Sequence, residues 1–310
     1  MTENSNNDKV YDILILGAGA AGMTCAIYAA RYKMNVAIIG KEPGGLASTA
    51  SDIQNWPGLI GSGIDIMQKF RAHVEKFEVP IIMDEIQEVV KEGELFKVMC
   101  GGGSYLGKSL LVALGTVRRK LDIPGEKEFE GRGVSHCATC DGFFYKDRTV
   151  AVVGGGDAAA MAAQMLSKIA SKVYMIIRRD HLTTEPARED DVENDPNIEI
   201  IRKSNLAKVN GEKMVTSIDL DTGKNIEVDG VFIEIGGIPL TNFAKSLGVD
   251  VSKRGRIVVN EKMQTNIAGV YSAGDISTGS AGFDQIVTAA SEGAIAARSA
   301  FQYLKQNKKI

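Results

Sequence analysis

An α/β fold of two Rossmann-like dinucleotide-binding domains, the second inserted into the first, is predicted by three features of this 310-residue chain. The stretch YDILILGAGAAGMTCAIYAARYKMNVAIIG runs from an apolar strand through a glycine turn into an alanine-rich helix and on to a second strand. TVAVVGGGDAAAMAAQMLSKIASKVYMIIRRD repeats that order. The third feature is the tail, RIVVNEKMQTNIAGVYSAGD and a long alanine-rich helix, which shows strand character again. It is expected to rejoin the first domain, making that domain discontinuous.

The elements follow in order. Ile13–Leu16 and Val36–Ile39 read as buried strands flanking the first glycine turn, and Val150–Val153 and Val173–Ile177 flank the second. Between the repeats, Ile86–Lys91 and Leu95–Met99 alternate like a hairpin with Glu92-Gly93 as its turn. LLVALGTVRRKLDIPG and VFIEIGGIPLTNF each end an apolar strand in glycine with proline nearby. These mark the crossings between domains, near residues 117–120 and 244–248.

Composition narrows the function. Apolar residues make up 44% and charged residues 24%, as in an ordinary globular protein. Lysine and arginine (36) nearly balance aspartate and glutamate (39), so the basic excess of a nucleic-acid binder is missing. The polar start MTENSNNDKVYD lacks a signal-peptide layout, and no apolar run approaches the ~20 residues that span a bilayer. The chain reads as cytoplasmic, with no membrane partner. Its 4 cysteines are too few for a disulfide scaffold, so any disulfide is expected to be a working one.

In GAGAAG, Gly17 permits the tight turn, Gly19 lets the backbone approach a pyrophosphate, and Gly22 lets the helix pack on the strand. The second strand ends without a clear acid for a ribose hydroxyl, though Glu42 is close. In the second unit Gly154, Gly156 and Ala159 give the G-x-G-x-x-A variant. Arg178 and Arg179 after its second strand suit a 2′-phosphate, favouring NADP over NAD, unless they are simply solvated surface arginines.

The stretch SHCATCDGFFYKD carries Cys137 and Cys140, two residues apart, then Asp141. Structural zinc would need two more ligands, and no second C-x-x-C exists. A redox dithiol fits better: one thiolate attacks a partner's disulfide and the other resolves the mixed intermediate. Asp141 either moves protons in that exchange or serves as a turn residue before Gly142. Cys25 and Cys100 read as buried packing thiols.

Together, GAGAAG, GG with NWPG, CATCDGFF, GGGDAA, RRD and AGD, in this order, make the chain resemble the low-molecular-weight thioredoxin reductases over nearly its whole length. The resemblance implies an FAD domain over residues 1–118 and 246–310, with an NAD(P) domain over 119–245 carrying the C-x-x-C. It implies FAD contacts at Gly17, Gly19, Ala20, Ala21, Gly22, Gly40, Lys41, Gly44, Gly45, Leu46 and Asn55. It implies that Gly274 and Asp275 would join the same site, with Gln285 and Ile286 near the isoalloxazine. For NADPH it implies Gly154, Gly156, Asp157, Ala158, Ala159, Arg178, Arg179 and Gly236. Cys140 would accept electrons from the flavin, Cys137 would attack the disulfide of thioredoxin or a thioredoxin-like protein, and Asp141 would act as acid and base. Family members are homodimers whose domains rotate between the two half-reactions.

Departures gather at the nucleotide end. Where the family shows H-R-R-x-x-x-R, Ile177 replaces the histidine and Thr183 the last arginine. Ala158, Met161 and Ala162 stand where a hydroxyl residue and two glutamates are usual. On the flavin side, Leu46 stands for glutamine and Asp284 for arginine. NADPH is the leading donor; NADH, reduced ferredoxin or a deazaflavin is the alternative. A non-catalytic dinucleotide or redox sensor is the competing function class.

Overall fold

The computed structural model describes residues 9–50, 53–241 and 246–309. Among these, six α-helices occur: α1 (Ala20–Arg31), α2 (Gly63–Glu75), α3 (Ala138–Asp141), α4 (Asp157–Ser167), α5 (Pro186–Glu193) and α6 (Ile286–Gln306). The chain divides into two compact units, one of residues up to Val117 with those from Pro239 onward, the other Arg118–Ile238. The first division falls where the apolar strands give way to VRRK. The second falls at Ile238/Pro239, whereas the sequence reading put it at 244–248; of those positions 244 and 245 lie outside the described residues.

In the first unit a five-stranded parallel sheet has the order Val270–Ser272, Leu110–Val112, Ile13–Leu16, Val36–Ile39, Ile81–Ile82. Every residue of Ile13–Leu16 is buried because both faces are covered, which explains an unbroken apolar run in place of alternation. Ile13 and Ile15 enter a core with the alanines of α1 and α6, while Leu14 and Leu16 meet Phe96 and Val98 of a second, four-stranded sheet. Small residues let α1 and α6 approach closely. A Cβ on Gly293 would sit 2.1 Å from the Ala21 carbonyl oxygen.

The second unit repeats the plan. Its parallel sheet has the order Val134–Ser135, Gly230–Ile233, Thr149–Val153, Lys172–Ile176, Ile198–Ile201. Val150 and Val152 pack on α4, and Ala151 and Val153 on a three-stranded antiparallel sheet through Val209 and Ile218. Thr116–Arg118 and Gly237–Pro239, the two connecting segments, pair as a two-stranded ribbon.

Three local readings are corrected. The hairpin turn is Gly93-Glu94, not Glu92-Gly93, because Gly93 takes the left-handed φ of 60° there and Glu92 still pairs with Leu95. The strand after α4 is Lys172–Ile176, leaving Ile177 just past its end but still buried. Of RIVVNEKMQTNIAGVYS, only Val270–Ser272 forms a strand; Ile257 makes isolated bridges to Val251 and Ser277 instead.

Candidate active site

Cys137 and Cys140 form a disulfide across α3, with Cα atoms 5.3 Å apart. Cys137 is the N-cap residue of α3, and its sulfur accepts a hydrogen bond from the Cys140 N–H at 3.2 Å. Cys140 is exposed and Cys137 half-buried. The Asp141 N–H donates to the Cys137 carbonyl at 3.1 Å, closing the single turn that carries both cysteines and the acid. Ser135 was not singled out by the sequence; its hydroxyl donates to Asp141 Oδ2 at 2.6 Å and accepts from the Cys137 N–H at 3.0 Å. Just beyond, Phe143 and Phe144 are 74% and 78% exposed, an apolar pair presented next to the disulfide.

Cys25 and Cys100 are buried free thiols, as packing residues should be. Burial pushes the Cys25 thiol up, and pushes that of Cys100 to about 11 with Asp84 adding to it. Neither is poised to react. Among the described residues no cluster of His, Cys, Asp and Glu could hold a metal ion.

The first glycine turn is shaped for a phosphate. Gly17 and Gly22 are glycine for internal reasons: added Cβ atoms would meet the Ala113 and Gly17 carbonyl oxygens at 2.2 and 1.9 Å. At Gly19 a Cβ would meet nothing within 4 Å, so the approach to the N-terminus of α1 is open. That N-terminus, starting at Ala20 and Ala21, has no side-chain cap and no acid in its first turn, leaving its positive end for an anion. Gly44 closes on the turn through its N–H, which donates to the Ala18 carbonyl at 2.8 Å, and Gly40 and Gly45 lie beside Ala18 and Gly19. Leu46 is exposed next to them. Lys41 pairs with Glu85 at 2.7 Å on the surface.

Other residues of this unit converge there. Gly274 packs against Ala21, and Asp275 beside it is half-buried; desolvation pushes its carboxyl up to about 6, with Asp284 adding and Arg256 opposing. Glu292 of α6 accepts from the Gly274 N–H at 2.7 Å and the Ser277 hydroxyl at 3.1 Å. Asn55 Nδ2 donates to Gln285 Oε1 at 2.8 Å, and Gln285 caps α6, whose first residue is Ile286. Asp284 is gripped by Arg256 through both carboxylate oxygens, at 2.6 and 2.5 Å. An open glycine turn, an uncapped helix and a half-buried carboxyl fit a dinucleotide such as FAD.

The second glycine turn differs in its surroundings. A Cβ on Gly154 would lie 2.1 Å from the Glu234 carbonyl oxygen, whereas the nearest atom to one on Gly156 is Thr183 Oγ1 at 3.8 Å. Thr183 donates to the Gly155 carbonyl from its N–H at 2.6 Å and its hydroxyl at 3.1 Å. Asp157, the first residue of α4, accepts from the Thr184 hydroxyl at 2.6 Å. Ala158 is exposed and Ala159 buried against the sheet. Arg178 and Arg179 are exposed, and among the described residues neither guanidinium has a carboxylate partner. Gly236 accepts from the Arg119 N–H through its carbonyl at 2.9 Å, one residue beyond the ribbon on each strand.

Comparisons with known proteins show the family. The pyridine nucleotide-disulphide oxidoreductase family matches residues 11–293. A thioredoxin reductase of Listeria innocua is 36% identical over 98% of this chain and 97% of its own length. The chain belongs to the thioredoxin reductases of that family. Membership implies FAD and a pyridine nucleotide, and makes the Cys137–Cys140 disulfide the redox site of a disulfide-reducing enzyme. The solved thioredoxin reductase of Lactococcus lactis has a TM-score of 0.92 at 32% identity, covering 96% of this chain and 99% of that one. The ferredoxin-flavin thioredoxin reductase of Clostridium acetobutylicum has a TM-score of 0.53, also at 32% identity, covering 96% and 99%. No helix among the described residues is long and apolar enough to cross a membrane.

Proposed function

We propose that this thioredoxin reductase takes electrons from NADPH, bound in the unit Arg118–Ile238, to FAD bound by the other unit. From there they pass to Cys137–Cys140 and then to the disulfide of a thioredoxin-like protein. FAD, when bound, supplies the two-electron relay between nucleotide and disulfide. Gly17, Gly19, Gly22, Gly44, Gly45, Asn55, Asp275 and Gln285 are the residues assigned to hold it.

The chain's own chemistry begins at the sulfurs. Two electrons break the Cys137–Cys140 bond, and two protons bring both sulfurs to thiols. The Cys137 thiolate attacks the partner disulfide, forming a mixed disulfide and expelling one partner thiolate, which takes up a proton. Cys140 then attacks Cys137, re-forming the internal disulfide and releasing the second partner thiolate. Asp141 receives and returns protons in these steps, and Phe143 and Phe144 offer the apolar surface against which a partner protein docks. In this reading the enzyme is a cytoplasmic homodimer.

The observation that carries the donor assignment is the exposed pair Arg178 and Arg179 after the strand Lys172–Ile176, whose guanidinium groups have no carboxylate partner among the described residues. Free guanidinium groups there suit the 2′-phosphate of NADPH. A second reading, in which a reduced ferredoxin or another non-nicotinamide donor supplies the electrons, is favoured by a different observation. Thr183, bonded to the Gly155 carbonyl, and the buried Ile177 offer no charge to a nucleotide, and a ferredoxin-flavin thioredoxin reductase is among the similar structures. Anaerobic titration of the flavin with NADPH, NADH and reduced ferredoxin decides between them. NADPH is expected to bleach it, and oxidised thioredoxin to restore the colour. Bleaching by ferredoxin or dithionite, but by neither nicotinamide, overturns the NADPH assignment.

A further inference from the structure

Ser135 is 6% exposed and closes the edge strand Val134–Ser135, where it pairs in register with Phe232 of the neighbouring strand. Its position is therefore set by the sheet and not by the mobile chemistry of the disulfide. A single buried hydroxyl here meets two parts of the redox motif. Its proton goes to Asp141 Oδ2 at 2.6 Å, a short bond of the charge-assisted kind, and its oxygen accepts the Cys137 N–H at 3.0 Å. The Cys137 carbonyl is a more distant alternative acceptor, at 3.3 Å.

From this geometry we infer that Ser135 is a positioning residue for the dithiol reaction, tying one oxygen of Asp141 and leaving the other for proton exchange with the sulfurs. The inference rests on the acid/base role given above to Asp141. α3 is a helix of 4 residues and cannot by itself fix a carboxylate on a rotatable side chain. Among the described residues Asp141 Oδ1 has no hydrogen-bond partner, so the tie is made on one side only. The same serine holds the Cys137 amide, so the nucleophile and its proton acceptor share one anchor in the sheet.

The groups around Asp141 make the assignment readable. Besides Ser135 and the two cysteines, Tyr145 faces it from the following turn; burial, with Asp141 adding, pushes the Tyr145 hydroxyl up and out of the working range. From α4, the side chains packed at Gly142 are Met165 and Leu166, which do not titrate. Two further titratable groups face α3: His136, next to Cys137 and 3.7 Å from Glu126, and Glu234, bonded to the Ala138 N–H, so the acid limb is assigned by comparing variants.

The test uses the full-length flavoprotein reduced anaerobically with dithionite and mixed with oxidised thioredoxin, the single-turnover rate being followed across pH. Such a rate constant does not depend on the folded fraction, and flavin absorbance shows that the variant is assembled. Ser135→Ala removes a hydrogen bond to an ionised carboxylate. It is expected to slow exchange ~10-fold and to move the acid limb to higher pH. In an Asp141→Asn background the same change is expected to add less than ~2-fold, because the group it positions is gone. An unshifted profile in Ser135→Ala, or a full additional loss in the Asp141→Asn background, overturns the inference while leaving Asp141 in place. If Asp141→Asn alone keeps the wild-type profile, the acid/base role of Asp141 fails, and the inference with it.

Discussion

Glu234 Oε1 lies 3.6 Å from Arg118 Nη1, with the Ala138 N–H of the redox motif also bonded to the carboxylate. Burial dominates over both partners and pushes the Glu234 carboxyl up from 4.5 to about 7. A raised carboxyl pKa stabilises the fold fully below the unfolded value and loses that contribution as pH rises through the folded one. Urea unfolding should therefore show stability falling from pH ~4.5 to ~7 by up to about 3 kcal/mol, and E234Q should flatten the fall. An equally steep fall in E234Q would show that another group causes it.

Two glycines of the first turn should separate folding from binding. Gly22→Ala puts a Cβ 1.9 Å from the Gly17 carbonyl, and about 3 kcal/mol of stability should go with it. Gly19→Ala meets nothing within 4 Å and should keep the thermal midpoint of the flavin-free protein while losing retained flavin. Thermal melts and flavin content on both variants check this together.

Serine at either active-site cysteine should stop thioredoxin reduction, with turnover falling at least ~1,000-fold. The two variants should part at the flavin. Cys137→Ser should still be reduced by the donor at nearly the wild-type rate. Cys140→Ser with wild-type turnover would refute the dithiol relay.

Replacing Arg178 and Arg179 by alanine should raise the KM for NADPH ~10- to 100-fold and leave NADH kinetics within ~2-fold. Steady-state kinetics with both nucleotides measure the ratio. Equal losses for the two would mean that the arginines do not read the 2′-phosphate.

How much of this was legible in the sequence depended on distance along the chain. Ile13–Leu16 and Val36–Ile39 are the strands found, because a parallel strand covered on both faces must be an apolar run and glycine marks its end. The dithiol was legible for a similar reason: Cys137, Cys140 and Asp141 lie within a single helical turn. By contrast RIVVNEK looked like a strand by composition, yet only Ile257 found bridging partners. Ser135, Glu234 with Arg118, and Arg256 with Asp284 gave no local signal, since each matters through a residue the fold brings to it. Asp284 shows the cost of reading positions singly. The sequence shows an acid in place of an arginine, and the structure supplies the guanidinium from Arg256.

The paired ribbon of Thr116–Arg118 and Gly237–Pro239 has a consequence for modularity. A segment whose entry and exit already lie hydrogen-bonded side by side closes its host's gap with almost no loop entropy. Arg118–Ile238 is in this sense a cassette. Its two ends can therefore be joined to another insert at the ribbon without lengthening the host chain's connection.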